Sequence, residues 1–168
     1  ALALSNYKKL EKFNMFDEFV NKLSNLIIQV SAGGRYMVGL KANGTLVATN
    51  YYDTEYVTYY DGSEWVKRGD MLMQEVSSWT NIVSVSAGDN HIVGLKKDGT
   101  VVACGYNDYG KCNIKNWTNI VLISAGGNHT VGLKKNGEVL AVGNNEDGQC
   151  NVENWKDIVF IAAGYYHT

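Results

Sequence analysis

Two stretches of this chain are near-copies of each other. SAGDNHIVGLKKDGTVVACGYNDYGKCNI runs from Ser86 to Ile114, and SAGGNHTVGLKKNGEVLAVGNNEDGQCNV runs from Ser124 to Val152, 38 positions later. The same step links Trp79, Trp117 and Trp155, then His91, His129 and His167, and also Cys112 and Cys150. A period of this length marks one supersecondary unit used repeatedly, each copy hiding its apolar sides against its neighbours. An earlier copy, SAGGRYMVGLKANGTLVATN, starts at Ser31 and carries Tyr36 where the later ones carry His. It precedes the next copy by 55 positions, which leaves an insertion of 17 residues. A fourth copy starts at Ala162 and runs to Thr168.

Each unit reads as three strands. The first is like Ile120–Gly126, with alternating side chains. The second starts at His129, with Val131 and Leu133 on the same face, and the third covers Glu138–Gly143. Asn43-Gly44, Asp98-Gly99 and Asn136-Gly137 stand between the second and third strands. These dipeptides accept φ > 0 at both positions, so two-residue type I′ hairpins are expected. Gly148–Trp155 is expected to supply a short fourth strand and the crossover to the next unit. Small antiparallel sheets repeated about every 40 residues fit the blades of a β-propeller. A β-solenoid is the rival, but its coils are usually shorter and lack a tight hairpin in every turn. The fold expected is therefore all-β: about three and a half blades of a propeller, over residues 24–168.

Composition narrows the function. Fifteen Lys and Arg against 17 Asp and Glu leave a net charge of −2, so there is no basic footprint for nucleic-acid phosphates. No apolar run approaches the length of a membrane span. The 18 Gly and absence of Pro suit many tight turns between short strands. Cys104, Cys112 and Cys150 are odd in number, which argues against a disulfide framework and for reduced thiols in the cytoplasm.

The order SAGxxHxVGLKxxG, then AxGxNxxGQC, resembles the regulator of chromosome condensation repeat, and the short 38-residue unit is similar to that of bacterial members. The resemblance implies a seven-bladed propeller, of which this chain holds part. The first copy departs from the pattern, reading ATNYYDTE where later copies read ACGYNDYGKC and AVGNNEDGQC. Relatives of this kind include a nucleotide-exchange factor for a small nuclear GTPase, chromatin binders and secreted inhibitors of β-lactamases. They share a rigid disc that binds another protein through loops on its faces. A protein partner is thus implied, and no enzyme activity.

Few residues suggest chemistry. A ring of three His invites a metal, but propeller symmetry holds equivalent residues farther apart than a ligation shell of about 2.0–2.1 Å allows. A structural His bonded to nearby backbone is expected instead. Cys112 and Cys150 lack zinc spacing and read as small buried hydrophobes, and Cys104 aligns with Val142. The Gly-bounded GYNDYG and GNNEDG segments do not match a calcium loop and read as turns. No nucleophile elbow, phosphate loop or HExxH motif occurs. Neither cofactor nor metal is expected. The repeated Trp residues read as packing between blades, with sugar stacking in a lectin-like propeller as the alternative.

The insertion, at about residues 51–70, is the most individual segment. It holds Tyr51, Tyr52, Tyr56, Tyr59, Tyr60 and Trp65, with Asp61-Gly62 placed to turn it into a hairpin. Tyr and Trp are enriched at binding hot spots. These six, with Tyr106, Asp108, Tyr109, Asn145, Glu146 and Asp147 of the blade loops, are the candidate protein-binding residues. Packing of the hairpin on its own blade is the plainer alternative.

Residues 1–23 differ from the rest. Phe13, Phe16, Val20, Leu23 and Ile27 follow helical spacing, and Asn14 stands where a cap is needed. A short helix covering the edge of the first blade is expected. An open arc leaves an inner apolar face bare. At about 1.5–3 kcal/mol per side chain, four to six exposed groups match a whole domain's stability. Either a longer chain or a second copy is expected to complete the ring.

Overall fold

The computed structural model describes residues 17–34, 36–50, 58–60, 65–67 and 75–168. Three repeats form three-stranded antiparallel sheets, each with its second strand in the middle. Blade one holds β1 (Ile27–Ala32), β2 (Tyr36–Lys41) and β3 (Leu46–Asn50). A two-stranded hairpin, β4 (Thr58–Tyr60) and β5 (Trp65–Lys67), follows from the insertion. Blade two holds β6 (Ile82–Ala87), β7 (His91–Lys96) and β8 (Val101–Gly105), and blade three holds β9 (Ile120–Ala125), β10 (His129–Lys134) and β11 (Val139–Gly143). All three sheets carry the same register, with the first strand slipped by one residue at its start.

The hairpin turns differ from the two-residue type I′ expected. Gly44, Gly99 and Gly137 have φ of 78°, 81° and 83°, whereas Asn43, Asp98 and Asn136 are not among the residues with positive φ. Each loop has three residues, closed by a bond from the glycine N–H to the carbonyl of Lys41, Lys96 or Lys134. The cause is local. The Asn43 and Asp98 Oδ1 atoms accept the N–H groups of Thr45 and Thr100 at 3.0 and 2.9 Å, and Asn136 does the same for Glu138 at 3.1 Å. That Asx turn keeps the acidic or amide residue at negative φ and leaves the left-handed position to Gly alone.

The expected fourth strand is also corrected, since residues 144–155 are turns and irregular chain. Bonds from Gly148 N to Asn145 O, Asn151 N to Gly148 O and Trp155 N to Val152 O fold the segment on itself. It buries Cys150 and Val152 this way without offering an edge to a sheet.

Apolar packing lies between blades. One cluster joins Val38, Leu40 and Leu46 of blade one to Ile82, Val85, Ile92 and Cys104 of blade two. The next joins Val93, Leu95 and Val101 to Ile120 and Ala125, and a third joins Val131, Leu133 and Val139 to Ile161 of the fourth repeat. Both faces of β7 and β10 are therefore buried.

The SAG motif explains how consecutive blades come so close. Ser31, Ser86 and Ser124 each accept, through Oγ, the backbone N–H of Ala87, Ala125 and Ala163 at 2.9 Å. The motif's third residue is Gly because the following blade's glycine carbonyl occupies the space of a Cβ: one at Gly126 would lie 2.5 Å from Gly164 O. The residue after it then donates to that same carbonyl, in the pairs Gly34–Gly88, Asp89–Gly126 and Gly127–Gly164.

Two of the repeated Trp residues are packing groups, as expected. Trp79 and Trp117 are buried, lying over Gly94 and Gly132 of the middle strand so closely that a Cβ there would be 3.0 and 2.6 Å from the indole. Neither of these two indoles presents a face to a sugar. Trp155 is 37% exposed.

Residues 17–24 are helical, in the region of the expected cap, and their Phe19, Val20 and Leu23 side chains are exposed. Among the described residues no helix is long and apolar enough to cross a membrane.

Candidate functional site

The polar loops leaving β8 and β11 share one frame. Asn107 Oδ1 accepts Cys112 N–H at 2.8 Å, and its Nδ2 donates to Asn113 Oδ1 at 3.0 Å. Asn145 repeats this on Cys150 N–H and Asn151 Oδ1, at 2.8 Å each. The thiols point inward, Cys112 Sγ towards Tyr106 O and Cys150 Sγ towards Asn144 O. Burial pushes Cys112 up to about 11 and raises Cys104 and Cys150 as well, so these thiols are inert fillers.

On this frame the tips differ. Asp108 and Tyr109 lie in a short 3₁₀ turn, Asp108–Gly110, with Tyr109 61% exposed at a positive φ of 61°. Glu146 and Asp147 occupy the same place one blade on and are exposed. The Glu146 N–H is held by Asn144 Oδ1, and the Asp147 N–H by Gln149 Oε1. Asn145, expected at the contact surface, has its amide committed to the frame. Tyr106 is half-buried at the base.

The loops joining first to second strands lie at the same end, because Tyr106 N bonds Asn90 O and Asn144 N bonds Asn128 O. There Tyr165 and Tyr166 stack edge to face at 4.5 Å, both exposed. The negative charge of Asp89 nearby holds the Tyr165 phenol above its ordinary value. Sequence reasoning did not select this pair. The available signal was position 165 itself, which carries Tyr where the aligned positions 34 and 127 carry Gly.

Of the aromatic insertion, Tyr51, Tyr52, Tyr56 and the Asp61-Gly62 turn lie outside the described residues. Tyr59, Tyr60 and Trp65 fall on β4 and β5, whose register pairs Tyr60 with Trp65 and Tyr59 with Val66, the hairpin that was expected.

The repeated His is structural, but its partner is not the nearby backbone. His91 Nε2 lies 2.8 Å from Thr130 Oγ1 in the next blade, and His129 Nε2 lies 3.0 Å from Thr168 Oγ1. Gly88 and Gly126 make this reach possible, since the imidazole occupies the place of a Cβ there. Burial, then the charges of Lys111 and His129, lower His91 to about 4. Lys111 is itself buried, with its Nζ on Asn128 Oδ1 at 2.9 Å. Among the described residues no three His, Cys, Asp or Glu side chains converge as metal ligands.

Comparison with known proteins places these features. The Regulator of chromosome condensation (RCC1) repeat matches residues 82–111 and 120–149. No curated protein matches the chain. Among solved structures, Prp20p from Saccharomyces cerevisiae is similar with a TM-score of 0.57 at 19% identity, over 82% of this chain and 39% of that one. It is described with its binding properties to Gsp1p and histones. Yeast RCC1 (Prp20) bound to Kap60 gives 0.59 at 21% identity, over 82% and 38%. The C-terminal domain of gp131 from bacteriophage phiKZ gives 0.54 at 19% identity, over 88% and 46%. At these identities the likeness is one of fold, and this chain spans less than half the length of each.

Proposed function

We propose that this chain, two of whose blades match the regulator of chromosome condensation repeat, is a non-catalytic scaffold that binds another protein through the loops at one end of its blades. One observation carries the reading: two loops share an identical internal frame of Asn and Cys bonds yet present different tips, Asp108-Tyr109 and Glu146-Asp147. A frame fixed by side-chain-to-backbone bonds presents its tips with little ordering left to do on binding. Exposed Tyr109, Tyr165 and Tyr166 supply aromatic contact area beside acidic groups. The aromatic insertion is a second contact element of the same scaffold. A cytoplasmic setting fits the three free thiols.

A further blade covers each end of the arc, supplied by a longer chain or by a second copy. Val30 is 59% exposed in blade one, whereas its equivalent in blade two, Val85, is 2% exposed against blade one. Val159 and Phe160 of the fourth repeat are exposed too.

The test is partner capture with the whole protein. Replacing Asp108, Tyr109, Glu146 and Asp147 by Ala leaves folding unchanged and removes a partner retained by the unaltered protein. Undiminished capture by both this variant and one lacking the insertion would refute the proposal.

A further inference from the structure

The His–Thr contact between blades obeys a rule that no single repeat reveals. Thr130 Oγ1 donates its one proton to Lys111 O at 2.7 Å, so it can only accept from His91. His91 therefore carries its proton on Nε2, and its Nδ1 is buried without a hydrogen-bond partner. The next boundary repeats the arrangement: Thr168 donates to Gln149 O at 2.7 Å and faces His129 Nε2, whose Nδ1 is likewise unpartnered. At the first boundary both partners differ together. Position 36 carries Tyr, and position 92, where a Thr would stand, carries Ile, fully buried in the cluster between blades one and two.

We infer that this pair is a matching device between consecutive blades: a blade with His at this position needs Thr at the corresponding position of the next blade, and the boundary whose sequence lacks the His also lacks the Thr. A mismatch at either side strands a buried polar group. Ile at 130 would leave both the His91 Nε2–H and the Lys111 carbonyl without their partner. The pair couples residues 39 positions apart, beyond any local preference.

The experiment is a swap that recreates the first boundary's pair at the second. Thr130→Ile alone is expected to lower the folded-to-unfolded ratio by about 10- to 100-fold, the loss for stranding buried polar partners. His91→Tyr alone also lowers it. The double variant His91→Tyr/Thr130→Ile is expected to be about tenfold more stable than the product of the two single losses predicts. Effects that simply multiply would overturn the inference. Should Thr130→Ile fail to fold, Thr130→Ser, which keeps the hydroxyl, and Thr130→Val, which does not, give the same comparison at smaller volume change. Ser is expected near the parent and Val below it, and equal losses for the two count against the pair. Nitrogen-15 spectra of the unaltered protein provide a readout independent of stability. They should show the His91 and His129 protons on Nε2, and protons on Nδ1 would refute the assignment.

Discussion

Lowering the pH from 7 to 4.5 should destabilise this protein, and His91 is the main reason. Burial, with Lys111 and His129 nearby, holds its folded-state value at about 4, against 6.5 when free. Between those values the unfolded chain binds a proton that the folded chain refuses, so acid favours unfolding. The stability supplied by a neutral His91 is complete above about pH 6.5 and drains away as the pH falls towards 4. Each unit is worth about 1.4 kcal/mol, so the full window is worth about 3 kcal/mol and the part down to pH 4.5 about 2–3 kcal/mol. His129 is lowered too, chiefly by burial, and adds in the same direction. Asp98 and Glu138, whose carboxyls are lowered by hydrogen bonds from Thr100 and Lys134, respond only at lower pH. The assay is a urea titration at intervals from pH 7.5 to 4.5, on the parent and on His91→Gln, which keeps an N–H for Thr130 but cannot ionise. The parent's unfolding free energy should fall by at least 2 kcal/mol, and the variant's by clearly less. Identical pH slopes in the two proteins would show that His91 is not the group responsible.

Three other outcomes are expected. Gly126→Ala places a Cβ against Gly164 O and the His129 ring and should cost about 2–3 kcal/mol, read as a lower urea midpoint. Trp117→Ala should cost about 3–5 kcal/mol by emptying a buried site over Gly132, whereas Trp155→Ala, at a partly exposed indole, should cost under about 1 kcal/mol. Cys104, Cys112 and Cys150 should react with a thiol reagent only after denaturant is added, because burial raises all three thiols; rapid labelling of the native protein would contradict their placement.

Much of the fold was legible in the chain because its causes are local. Alternating residues such as Ile120–Ala125 and the Asn-Gly and Asp-Gly pairs require only neighbouring residues to make a hairpin, and the 38-residue step announces that the hairpins stack. Local chemistry also misled in one place. Asn-Gly suggested a type I′ turn, but the bond from Thr45 N–H to Asn43 Oδ1 selects a three-residue loop instead. The candidate site was legible in part. Gly-bounded polar segments marked the loops, yet Asn145 belongs to their frame, and Tyr165 and Tyr166 join the surface only because the fourth repeat brings them beside Asp89.

The sequence alone determined the unit: three strands, a glycine turn and a recurring set of Ser, Gly, His and Trp. It marked the Trp as a packing group, which Trp117 is over Gly132, but it did not reveal what the Ser, Gly and His are for, since each acts on a blade that lies far along the chain. Ser31 meets Ala87, Gly126 makes room for Gly164 and His91 finds Thr130. Only the packing of one wedge against the next sets those distances, so tertiary structure decided the roles that the repeat merely displayed.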